Sequence, residues 1–349
     1  MSKVTITIDG MQIAAEEGMT VLQAAQANGL YIPNLCNHPD LQPAGICRVC
    51  VVKMDDWKVV IACKQTVKDG MVIETEDPEV RQIRKNSVEL LLAYHPMTCL
   101  TCEADNNCEL QRVAHYVGIR PEDMKPYRRS LRPTPMDTSN PFFDIDHAKC
   151  ILCGICIRTC DEINGVAAID FAQRGVNTKV ATLGDKPIAE SVCESCGECV
   201  ERCPVGALAR KDNVLPAARE VKTVCPYCGV GCGIYLGVRG DKIVSARGDR
   251  ESPVNKGHLC VKGRFGHDFV NHPDRLTTPL IKRDGEFVEA DWDEALDLIA
   301  TKFTEVQEKH GPEALAGLSS ARVTNEDNYL FQKLLRSLGT NSVDHCARL

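Results

Sequence analysis

Residues 150–160, CILCGICIRTC, and residues 193–203, CESCGECVERC, are two copies of one pattern, CxxCxxCxxxC, offset by 43 residues from Cys150 to Cys193. Each copy gathers three thiols in one loop and sets a fourth a turn further on. A repeat of this kind implies a pseudo-symmetric pair of sites. The chain has twenty cysteines in 349 residues, and its start, MSKVTITIDG, lacks a charged segment followed by an apolar one. Reduced thiols in the cytoplasm, and metal ligation rather than a disulfide framework, are therefore expected.

In runs with this spacing the fourth cysteine ligates the cluster of the other run. Cys150, Cys153, Cys156 and Cys203 are expected to hold one 4Fe–4S cluster, and Cys193, Cys196, Cys199 and Cys160 a second. Pro204 follows Cys203 as the pattern requires, whereas Asp161 follows Cys160. Upstream, Cys36, Cys47, Cys50 and Cys63 have 2Fe–2S spacing, with the tight GICRVC loop bringing backbone N–H groups towards the sulfides. In HPMTCLTCEADNNCELQ, Cys99, Cys102 and Cys108 need a fourth ligand, and His95 stands four residues before the first of them. A neutral imidazole there would leave a 4Fe–4S cluster less negative; a merely packed histidine is the alternative. The fifth set is Cys225, Cys228 and Cys232 in CPYCGVGC with Cys260 in HLCVKGR, where Gly229, Gly231 and Gly233 permit a tight loop. Tetrahedral zinc competes at this last spacing, and more weakly at the 2Fe–2S set. Five sets of four use nineteen cysteines and one histidine, leaving Cys346 as a small packed thiol. So many centres in one chain make sense as an electron relay.

Around these motifs the reading is α+β and multidomain. VTITI alternates as a strand, Asp9-Gly10 is a hairpin turn, and MQIAA returns as a second strand. Thr20 then caps a helix that ends near Gly29. With strands at VCVVKM and MVIETE this order gives a β-grasp domain over residues 1–78. An amphipathic helix from Pro78 to Tyr94 opens a 4Fe–4S domain over 79–118, with one histidine and three cysteines as its ligands. Pro121, Pro126, Pro133, Pro135 and Pro141, among several arginines, mark 119–141 as an extended linker. The paired-cluster domain is placed at 142–215, a further cluster domain at 218–275, and a helical start of another domain, led by DWDEALDLIATKFTEVQEKH, at 276–349. The formal charge of -7 becomes roughly -16 once ligated thiolates and clusters are counted, which disfavours nucleic-acid binding. No apolar run is long enough to span a bilayer.

The order of 2Fe–2S domain, HxxxCxxCxxxxxC motif and paired ferredoxin motif resembles the large iron–sulfur subunit of respiratory complex I and the front of iron-only hydrogenases, over residues 1–215. CPYCGVGC, GHLCVKGRFGHDFV, DRLTTPLI, WDEAL, TNEDNYLFQKL and NSVDHCARL look like the start of a molybdopterin oxidoreductase domain as found in NAD-dependent formate dehydrogenases. The resemblance implies an alpha subunit exchanging electrons between formate and carbon dioxide at a bis-molybdopterin guanine dinucleotide centre with Mo or W. Electrons would leave through the Cys225–Cys260 set, the ferredoxin pair, and the 2Fe–2S and His-ligated sites. It places Lys262 on the electron path and Thr324, Asn325, Glu326 and Asn328 near the pterin; helix capping is the plainer role for that polar segment. It implies a hetero-oligomer with a flavin- and NAD-binding diaphorase-type subunit and a small 2Fe–2S subunit, since no GxGxxG fingerprint follows a strand here. The family's metal-ligating selenocysteine or cysteine would come one residue after Leu349, so a UGA codon there, and no formate oxidation by the 349 residues alone, are expected. The rivals are a complex I large iron–sulfur subunit and a stand-alone multi-cluster carrier.

Overall fold

The alternating start folds as its pattern requires. In a computed structural model that describes residues 2–130, 135–211 and 216–347, β1 (Lys3–Ile8) and β2 (Met11–Glu16) pair antiparallel, with Ile8 opposite Met11. Asp9 and Gly10 take positive φ of 49° and 80°, the two-residue turn whose twist matches that of the strands. α1 (Val21–Ala27) begins at a capping box: Thr20 Oγ accepts from the Gln23 N–H, and the Gln23 side chain accepts from the Thr20 N–H. β3 (Val51–Met54), β4 (Lys58–Ile61) and β5 (Val72–Glu74) complete a sheet of order β2-β1-β5-β3-β4, with β1 and β5 parallel. Ile6, Ile8, Val21, Leu22, Val52 and Ile73 form its core against α1, a β-grasp domain. β4 adds a strand that the sequence reading lacked.

α2 (Pro78–Leu92) starts at Asp77, whose carboxylate accepts from the Glu79 and Val80 N–H groups, with Pro78 in the first turn. α3 (Glu109–Tyr116) follows the second cysteine set. The stretch expected as an extended linker departs from that expectation. Residues Pro121–Tyr127 form a 3₁₀ helix in which Met124 is fully buried beside Leu110 and Val113, and Arg120 pairs with Asp123 at its start. One apolar anchor and one capping pair hold a segment whose prolines read as extended. Pro133 lies outside the described residues.

In the repeat region β6 (Phe143–Ile145), α4 (Ile155–Arg158), β7 (Ile169–Ala172), β8 (Lys179–Thr182), α5 (Glu198–Glu201) and β9 (Leu208–Arg210) follow in order. β6 pairs with β9 and β7 with β8. The pseudo-symmetry extends to the backbone: Leu152 and Ser195 both have φ of 56°, and Gly154 and Gly197 have 69° and 75°. These residues belong to the first of two compact units, Met1–Asn213 and Val214–Leu349. The boundary expected between residues 215 and 218 falls partly on positions outside the described residues.

The second unit opens with an antiparallel sheet of β10 (Arg219–Val224), β11 (Gly233–Arg239) and β12 (Lys242–Gly248). The short helices α6 (Val261–Phe265) and α7 (Asp268–Asn271) follow, then the hairpin of β13 (Leu280–Arg283) and β14 (Glu286–Glu289). α8 (Trp292–His310) is capped by Asp291, which accepts from the Glu294 N–H. β15 (Gly317–Ser319), α9 (Asn325–Ser337) and β16 (Val343–His345) form a strand–helix–strand unit with parallel strands. Leu349, the expected end of the NSVDHCARL motif, lies outside the described residues. Among the described residues no helix is long and apolar enough to cross a membrane.

Candidate iron–sulfur sites

The fourth thiol of the first run stands with the first three thiols of the second. Cys160, Cys193, Cys196 and Cys199 line one cavity. Burial pushes the Cys199 thiol up, and Cys196, Cys193 and Cys160 push it further. For the other set, burial pushes Cys153 up, followed by the charges of Cys203 and Cys150. Backbone N–H groups approach the sulfurs in pseudo-symmetric fashion: Leu152 donates to Cys150 Sγ and Ser195 to Cys193 Sγ, each at 3.4 Å. The left-handed backbone at Leu152 and Ser195 turns these groups inward. Crowded, buried thiols of this kind favour the protonated form by themselves, and cationic iron reverses that preference. The donor set, the cavity and the inward amides fit an iron–sulfur cluster.

Near α1, Cys36, Cys50 and Cys63 are each about 1% exposed. The Cys47 N–H donates to Cys36 Sγ at 3.4 Å, and the free thiols of Cys36 and Cys47, and those of Cys50 and Cys63, lie in hydrogen-bond reach of each other. Gly45 and Arg48 take positive φ of 68° and 59°, the tight turns that the GICRVC spacing needs. Arg84 of α2 is 1% exposed and donates to the Val51 carbonyl, one residue after Cys50, at 2.8 Å. Sequence reading missed it, because a single arginine on an amphipathic helix looks solvent-facing.

His95 lines a cavity together with Cys99, Cys102 and Cys108. Its Nδ1 lies 2.9 Å from the Pro96 carbonyl oxygen, which makes it the donor and leaves the lone pair on Nε2. Nε2 is buried and makes no hydrogen bond of good geometry among the described residues. Burial lowers the pKa of the ring, favouring the neutral form that binds metal. Gly206 lines the same cavity, and a Cβ there would come within 2.5 Å of Cys102 Sγ. The 3₁₀ segment also contributes: Arg128 donates to the His95 carbonyl at 3.0 Å and the Arg129 N–H to the Ala93 carbonyl at 2.9 Å. Neither Gly206 nor Arg128 carried a motif signal.

In the second unit, burial raises the pKa of the Cys225 thiol, with the charges of Cys260 and Cys228 adding to it, and that of Cys232, with Cys225, Cys228 and Cys260 adding to it. Lys262 lies in α6 and shares a cavity wall with Cys225 and Tyr227. Thr324 caps α9 by accepting from the Asp327 N–H at 3.1 Å, the capping role weighed from the sequence. Asn325 Nδ2 donates to the Gly229 carbonyl at 2.7 Å, tying α9 to the CPYCGVGC loop. A Cβ at Gly229 would come within 2.6 Å of Asn325 Oδ1. Asn328 donates to the Ser320 carbonyl at 3.2 Å, and Glu326 is exposed. Cys346 is exposed rather than packed. Among the described residues no three His, Cys, Asp or Glu side chains close on a single-ion position.

Fold and donor sets together define an iron–sulfur electron-transfer protein. Its segments match, in order, a 2Fe-2S iron-sulfur cluster binding domain (residues 1–78), an NADH-ubiquinone oxidoreductase-G iron-sulfur binding region (84–122) and the ferredoxin-like domain of NADH-quinone oxidoreductase subunit 3 (140–209). The molybdopterin oxidoreductase Fe4S4 domain (218–272) and molybdopterin oxidoreductase (275–349) follow. Among relatives, the NADPH-Fe(3+) oxidoreductase subunit alpha of Geobacter sulfurreducens is 38% identical over 99% of this chain and 40% of its own length. A Staphylococcus aureus protein described provisionally as a formate dehydrogenase is 32% identical over 98% of this chain and 39% of its own. A chain in the crystal structure of an NAD+-reducing NiFe-hydrogenase, in the H2-reduced state, superposes with a TM-score of 0.52 at 30% identity, over 61% of this chain and 89% of that one. The chain belongs to the molybdopterin oxidoreductase family, with a 2Fe–2S domain and NADH-dehydrogenase-G-type iron–sulfur regions in front. It spans about 40% of the length of the curated relatives it matches.

Proposed function

We propose that this chain is the iron–sulfur electron-transfer portion of a formate dehydrogenase catalytic subunit. It would hold one 2Fe–2S and four 4Fe–4S clusters in the five sets assigned above and work in the cytoplasm. When bound, the clusters supply one-electron chemistry, linking a bis-molybdopterin guanine dinucleotide centre with Mo or W to an NAD-linked diaphorase-type flavoprotein and a small 2Fe–2S subunit. The observation that supports this reading most is His95: a buried imidazole with its tautomer fixed and no well-formed hydrogen bond at Nε2 among the described residues, sharing a cavity with three cysteines. The chain's own residues bind the clusters through thiolate and imidazole, orient backbone amides towards sulfur, and at Cys36, Cys50 and Cys63 exclude water by burial. The resemblance to a formate dehydrogenase supports the substrate, and the hydrogenase chain supports the NAD link. The Geobacter relative favours a second reading of the acceptor, NADPH in place of NADH. Anaerobic reconstitution should load about eighteen irons per chain. Near-stoichiometric zinc with iron well below about ten would overturn the five-cluster assignment.

A further inference from the structure

The two cysteine runs agree in spacing, in the left-handed backbone at Leu152 and Ser195, and in their inward N–H groups, so any departure between them stands out against an internal control. The clearest departure follows the fourth cysteine. After Cys203 comes Pro204, whereas after Cys160 comes Asp161, and the chain continues as a π-helical turn, Thr159–Ile163. The Asn164 N–H reaches back to the Thr159 carbonyl at 3.4 Å, and the Gly165 N–H to the Asp161 carbonyl at 3.0 Å. Single π turns inside helices often mark functional positions. This one brings Asn164 into the wall of the cavity lined by Cys160, Cys193, Cys196 and Cys199. Asn164 Nδ2 stands 3.0 Å from Cys196 Sγ. At the matching position of the other copy, offset by the same 43 residues, stands Ala207, whose methyl group offers no donor.

We infer that Asn164 sets the reduction potential of the cluster held by Cys160, Cys193, Cys196 and Cys199, by donating its amide N–H to the Cys196 thiolate. The inference rests on the cluster assignment proposed above. Reduction adds one electron to the cluster with no bond made or broken and no proton moved, and the added charge resides partly on the sulfurs. A donor aimed at a ligating sulfur therefore stabilises the reduced form more than the oxidised form and raises the potential. The amide must present nitrogen rather than oxygen to a thiolate, which accepts only. Glu194 lines the same cavity and opposes this effect through its charge, so Asn164 is tested within its own cluster rather than by comparing the two copies.

The test is an EPR-monitored redox titration of the reconstituted chain, with iron counted in each sample. Asn164→Ala should lower the midpoint of one 4Fe–4S signal by roughly a tenfold change in its oxidised-to-reduced ratio, about 59 mV for one electron. The other signals should stay in place. Asn164→Asp, which offers a carboxylate in place of the donor, should lower the same midpoint further at high pH than at low pH. Pulsed EPR on wild-type chain carrying 15N-asparagine should show a nitrogen coupling to that cluster that Asn164→Ala removes. Unmoved midpoints with full iron in both variants, or no 15N coupling in the wild type, would overturn the inference while leaving the clusters in place. If Asn164→Ala loses its cluster, the wild-type 15N coupling decides. A wild-type chain that takes up no 4Fe–4S iron would overturn the cluster assignment itself.

Discussion

His95 shows how one side chain is prepared for a metal by its neighbours. The Pro96 carbonyl accepts from the Nδ1–H, burial favours the neutral ring, and the side chain lines a cavity with three cysteines. His95→Ala should leave that cluster labile, with iron lost on dilution or chelation, because three thiolates cannot complete the ligand set. His95→Cys should retain the cluster and shift its midpoint downward, since a thiolate adds negative charge where imidazole adds none. Iron counts with EPR-monitored titration check both. Wild-type redox and EPR behaviour in the two variants would remove His95 from the ligand set.

The 3₁₀ segment Pro121–Tyr127 acts as a strap rather than a spacer. Met124 anchors it at 0% exposure, and Arg128 and Arg129, just beyond it, hold the backbone around His95. Replacing a fully buried methionine by alanine costs the transfer term and leaves a cavity. Met124→Ala should therefore destabilise the first unit by about 2–3 kcal/mol in urea titrations. It should also speed iron release from the His95 set ahead of the other sets, because the strap slackens beside that site. Uniform loss from every set would mean that Met124 only supports the core. α1 differs in kind, since its capping box is written within four residues and its Thr20 cap was legible without any knowledge of the sheet.

For the assembled protein the informative position is Lys262, which shares a cavity wall with Cys225. In a full-length enzyme Lys262→Ala should slow formate-dependent dye reduction by roughly tenfold or more, an added barrier of about 1.4 kcal/mol, while iron and pterin content stay at wild-type levels. Stopped-flow reoxidation of the clusters separates slower electron exit from lost cofactor. A wild-type rate would make Lys262 an ordinary surface lysine. Asn325 is a contrast, because its bond to the Gly229 carbonyl ties α9 to the cysteine loop whatever its relation to a pterin.

The sequence by itself determined the fold class, the opening hairpin and the Thr20 cap, and it grouped the cysteines into candidate sets. Those features are written in spacings of a few residues, where turn geometry, capping and metal–ligand reach act locally. The tertiary structure decided what depends on segments far apart in the chain. It added β4 to the sheet and turned Pro121–Tyr127, in the proline-rich stretch, into a strap closed by one buried methionine. It set Gly206 against Cys102 and buried Arg84 against the Val51 carbonyl. It also passed Arg158 across to the backbone of Cys36 and Gln42. None of these residues differs in type or local pattern from a solvated neighbour. Packing gives each one its partner, and packing is settled only when distant segments meet.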